Sequence, residues 1–127
     1  MKIVCLLFVA VLSAGCSTFP STQFQLNAGQ ERPPFRGRVL TYMEQVPPNV
    51  EYEVIGDFVE QGQWYGSTTA MEQDTARTAA EKGANGILIE DSGHRPTGWS
   101  WASPFTEGKL LWIQNYQSAA SSADSSP

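Results

Sequence analysis

Lys82-Gly83-Ala84-Asn85-Gly86-Ile87-Leu88-Ile89-Glu90 is the stretch on which the fold turns. A helix stops in it and a strand starts. Gly83 suits the left-handed residue that closes a helix. Asn85-Gly86 punctuates, and Ile87 to Glu90 reads as a short buried strand. Upstream, residues 70–82 contain neither Gly nor Pro, and Thr69 with Glu72 has the spacing of a capping box. Met71, Ala76, Ala79 and Ala80 form a stripe of mostly small residues, the kind that lets a helix lie close on a sheet.

Strands flank this unit. Residues 51–60 predict one, with Tyr52, Val54 and Phe58 on one face and Ile55 and Val59 on the other. Gly56 inside it signals a bulge or a close backbone approach. Residues 38–45 predict an earlier strand, ended by Pro47-Pro48-Asn49, and residues 109–116 a last one. There Leu110, Trp112 and Tyr116 oppose Leu111 and Ile113. Strand, helix, strand in the middle predicts a right-handed crossover and a parallel pair. The expected fold class is α+β: a single small domain, one Ala-rich helix on a mixed sheet of about four strands, containing a βαβ unit.

Tyr52-Glu53-Val54-Ile55-Gly56-Asp57, the Ala-rich helix and residues 82–89 together resemble the small βαβ domains of bacterial envelope lipoproteins and of the YbjQ-type proteins. A similar helix–Gly–strand passage occurs in the Rcs-pathway outer-membrane stress-sensor lipoprotein. The resemblance spans residues 51–91 and implies the fold and an envelope setting. The paired cysteines of the stress sensor have no counterpart here, so no functional residue is carried over.

The N-terminus supports that setting. After Lys2, residues 3–12 are all apolar. A membrane-spanning helix needs about 20 such residues, whereas a short positive region, an apolar core and small residues form a secretory signal. Leu12-Ser13-Ala14-Gly15-Cys16 resembles the bacterial lipobox. That resemblance implies cleavage before Cys16, diacylglycerol on its sulfur and an acyl chain on the new amino terminus. With Ser17 rather than Asp next, it also implies the outer membrane, on its periplasmic face. Each buried CH₂ contributes roughly 0.8 kcal/mol, so several chains anchor firmly where one does not.

The expected organisation is then a signal peptide over 1–15, lipidated Cys16 and a flexible tether over 16–36, the folded domain over 37–116 and a disordered Ser-rich tail over 117–127. A tether of that length would reach up to about 70 Å. Of 127 residues, 8 are Lys or Arg and 13 Asp or Glu, for a net charge of −5. That balance excludes a general nucleic-acid binder, which needs a basic surface. Two cysteines and one histidine exclude a zinc finger and a disulfide-stapled scaffold.

No catalytic constellation is legible, and neither a cofactor nor a metal is expected. His94 lies near Asp91 and Ser92, but catalytic triads are defined by geometry and seldom form from adjacent loop residues. This 91–94 loop is the working edge only if the protein is a small enzyme or an enzyme inhibitor. Residues 92–108 read as a long loop holding Trp99 and Trp101, whose spacing also suits a hairpin extension of the last strand. Trp64, Tyr65, Trp99 and Trp101 are the candidate platform for a glycan or protein partner. The expected protein is lipid-anchored and non-catalytic, with the membrane and an envelope protein or peptidoglycan as partners and a binding, scaffolding or stress-sensing role.

Overall fold

The computed structural model describes residues 22–62, 66–96 and 101–125. In chain order the elements are β1 (Gln23–Leu26), β2 (Leu40–Met43), β3 (Tyr52–Gln61), α1 (Thr68–Glu81), β4 (Gly86–Arg95), β5 (Ser103–Ile113) and α2 (Tyr116–Ser125). The strands make one five-stranded sheet in the order β1-β3-β5-β4-β2. The β2–β4 pair is parallel and the others are antiparallel. The mixed α/β class is as expected, with one strand and one helix more.

β3 and β4 do run in the same direction across α1, but they are not neighbours. β5 inserts between them and pairs with both, so the βαβ unit is split. The directly bonded parallel pair is β2 with β4. The expected 92–108 loop is mostly strand: β4 extends to Arg95 and β5 starts at Ser103, paired up to Arg95↔Ser103. Gly, Ser and Pro punctuation concealed that long hairpin.

Two faces carry two cores. Over one face lies α1, whose buried Ala79 meets Ile55, Phe58, Ile87, Ile89 and Leu110. Burying each large side chain contributes roughly 1.5–3 kcal/mol. Ile55 and Phe58 therefore share a face, contrary to the strict alternation expected of β3. A register shift between Val54 and Gly56 restores Phe58 to the α1 side. Gly56 is also the close approach anticipated, since a Cβ there would lie 2.3 Å from the Gln25 carbonyl oxygen. Helix α1 begins one residue before the expected cap. Ser67 is the N-cap and its hydroxyl accepts from the Ala70 amide, whereas Gly83 closes the other end with φ +90°.

The second face packs Leu40, Val50, Leu111 and Ile113 against Ala119 of α2. Residues 117–125, expected as disordered tail, are thus helical. Tyr116, Ala119, Ala120 and Ala123 recur at helical spacing; Ala119 is buried, Tyr116 and Ala120 pack beside it, and Ala123 is exposed. Serine hydroxyls are satisfied locally, Ser121 donating to the Gln117 carbonyl and Ser122 to that of Ser118.

The expected tether is corrected too. Residues 23–26 form β1 on the sheet edge. The following segment crosses past the C-terminal end of α1, with the Phe35 amide donating to Ala80. Arg32 lies over the Trp112 ring and pairs with Glu53. Residues this polar were compatible with a tether only while their partners on β3 and β5 were unseen.

Asn85 locks the start of β4 to its neighbours. It is 1% exposed. Its Nδ2 donates to the Ile113 carbonyl at 3.0 Å and its Oδ1 accepts the Ile113 amide at 2.6 Å. Its backbone amide donates to Leu111, and its carbonyl accepts from Leu40. Asn85→Ala leaves both Ile113 groups buried without partners, and should lower stability by about 2–4 kcal/mol in urea denaturation. An unchanged midpoint would contradict this role.

Candidate functional site

The described candidate residues gather at one end of the sheet. Thr22, the first described residue, accepts a hydrogen bond from the Gln61 amide at the end of β3. Gln61 is buried and donates through Nε2 to the Pro104 carbonyl at 3.1 Å. The Gly62 amide donates to the same carbonyl at 2.9 Å. From β4, the Arg95 guanidinium donates to Gln61 Oε1 and lies 4.3 Å from the Phe105 ring centroid. Gln61, Arg95 and Phe105 were not singled out from sequence, because the 92–108 stretch read as loop.

Trp101 lies two residues before β5 and is 85% exposed. Trp64, Tyr65 and Trp99 lie outside the described residues, as does Cys16. Of the expected aromatic platform, then, Trp101 alone is placed.

Asp91 and His94 are not brought together. Both lie on β4 in an unbroken register, Asp91 opposite Glu107 and His94 opposite Pro104. Residues three apart in a regular strand face opposite sides of the sheet. His94 instead contacts the Gly66 carbonyl at 3.1 Å through Nε2, tying the hairpin to the chain entering α1. Among the described residues, no group of three or more His, Cys, Asp or Glu could hold a metal ion. Nor is any described helix long and apolar enough to cross a membrane.

A groove of about 350 Å³ lies elsewhere, between α2, β2 and the turn before β3. Tyr42, Val50, Ala119 and Ser122 help to line it. The Tyr42 hydroxyl is buried without a hydrogen-bond partner, and burial raises its pKa above the ordinary tyrosine value.

In comparisons with known proteins, no family model, no curated protein and no solved structure matches the chain.

Glu60, beside Gln61 on β3, is half-buried against Thr75 of α1. Burial raises its pKa, while a hydrogen bond from Thr75 acts the other way and Asp74 adds to the rise. Thr75 has one proton and two acceptors, Glu60 and the Met71 carbonyl. A protonated Glu60 completes the chain, donating to Thr75 while Thr75 donates to Met71. A raised carboxyl pKa means that the folded state holds the proton more tightly than the unfolded one. Stability therefore falls as pH rises through the window between the ordinary glutamate value and the raised one. Glu60→Gln imitates the protonated form. Thermal melts should show the variant more stable than the parent at neutral pH, with the difference vanishing below the ordinary glutamate range. A variant less stable at neutral pH would contradict the assignment.

Proposed function

We propose that this chain is a lipid-anchored protein of the bacterial envelope, held at the periplasmic face of the outer membrane, with a non-catalytic binding, scaffolding or stress-sensing role. The observation that carries it is the Leu12-Ser13-Ala14-Gly15-Cys16 pattern ahead of a folded sheet that begins only at Gln23. The small βαβ resemblance of residues 51–91 points to the same setting. A working enzyme edge at 91–94 is disfavoured, because Asp91 and His94 lie on opposite faces of β4 and His94 is engaged with Gly66.

Two measurements test this. Cys16→Ser should abolish acyl mass on the mature protein and release it from the membrane fraction; retention there with unchanged mass would refute lipidation. Crosslinked envelopes should yield a reproducible protein or peptidoglycan partner. Loss of cellular function in a His94→Ala strain, with folding and location intact, would instead favour the enzyme reading.

A further inference from the structure

β2 ends the strand order on one side of the sheet. The Leu40 and Glu44 amides donate to the Asn85 and Ile89 carbonyls of β4. Backbone groups alternate in direction along a strand, so those of Val39, Thr41 and Met43 point the other way, off the sheet. Natural edges are commonly kept single by a lysine, a proline or a bulge. Leu40-Thr41-Tyr42-Met43 has no charge and no proline, and its register on β4 is unbroken.

Two features at one end of this edge have counterparts at the other. Met43 is large, apolar and 50% exposed. Beside the edge, on the α1 side, lies a groove of about 270 Å³ lined by Val39, Thr41, Thr69, Glu72, Gln73 and Ala76. Arg38, just ahead of β2, is exposed and pairs with Asp124 at 2.9 Å, itself exposed. A surface pair of that kind contributes little, so Arg38 can turn to another partner. Past the far end of β2, a recess of about 130 Å³ is lined by Glu44, Glu90 and Asp91 together with Met43, Ile89 and Ser92. Among the described residues these three carboxylates make no ion pair, and Lys109, which feels Glu90, is already held by Asp57.

We propose that β2 pairs antiparallel with β2 of a second copy of this chain, about a two-fold axis at Thr41, so that the two sheets become one. Thr41 then lies opposite Thr41, Val39 opposite Met43, Leu40 opposite Tyr42 and Arg38 opposite Glu44. The Thr41 amide and carbonyl of each copy bond those of the other, and each Met43 amide meets the Val39 carbonyl of the other copy. Directly opposite residues share a face. Met43 of the second copy therefore arrives beside Val39, at the groove along α1, where its flexible side chain fills the space. Arg38 of the second copy arrives at the recess of Glu44, Glu90 and Asp91. A slip of one residue sets Thr41 against Leu40 or Tyr42, whose backbone groups already serve β4. A slip of two sets Arg38 against Tyr42 or Val46, away from the carboxylates. The two-fold contact makes every match twice.

Cysteine pairing in the full chain, in cells treated with a mild oxidant, reads both the contact and its register. Thr41 and Gln25 are exposed on opposite edges, so a cysteine at either leaves the core intact. Opposed residues of a ladder lie about 5.5 Å apart between Cα atoms, within disulfide reach. Thr41→Cys is expected to give a covalent dimer beyond that of the parent chain, which reports any link through Cys5 or Cys16. Chains carrying Val39→Cys and Met43→Cys should link to each other when coexpressed and not to themselves. Like positions there stand four residues apart, roughly 13 Å along the strands. Adding Arg38→Glu to Thr41→Cys should lower the dimer yield at least about tenfold, because each dimer loses two attractions and gains two repulsions. No Thr41 link, a Gln25→Cys link of equal yield, Val39→Cys linking to itself, or a yield unchanged by Arg38→Glu would each overturn the proposal.

Discussion

The Asn85 side chain makes both hydrogen bonds of a backbone ladder pair with Ile113, and the rest of the structure hangs from that clamp. With the bonds from its own backbone it holds three strands, β2, β4 and β5, at one point. From there the register of β4 on β5 is carried along the sheet, past one bulge, to the Arg95–Ser103 pair. Because β5 is the central strand, fixing it also fixes β3, and β3 carries β1. The convergence of Thr22, Gln61, Pro104 and Arg95 is the distant result of this local constraint.

A clamp with two buried polar atoms is costly unless every bond is made. Here it is made within a sheet packed on both sides, each side by a helix presenting alanines. Ala79 of α1 is buried against one face and Ala119 of α2 against the other. The result is one sheet covered on both faces.

Much of this was legible. The Ala-rich helix, Gly83 at its close, Gly56 as a bulge and a close approach, and the strands of 51–60 and 87–90 follow from local pattern, because each signal lies within a few residues. What was not legible depended on distant partners. Residues 23–36 have no periodicity of their own and acquire structure from Gly56, Ala80, Trp112 and Glu53. The Ser-rich 117–125 segment is too weakly hydrophobic to declare itself, although Tyr116, Ala119, Ala120 and Ala123 keep helical spacing. The outer half of the β4–β5 hairpin was hidden by Gly93, Pro96 and Pro104, residues that ordinarily mark loops. The bonds that join Thr22, Gln61 and Pro104 could come only from pairing.

Native-state hydrogen exchange at the Ile113 amide tests the clamp most directly. That amide donates to the buried Asn85 side chain inside a sheet packed on both faces, so it should exchange only when the whole domain unfolds. Exchange as fast as that of an open strand edge would contradict it.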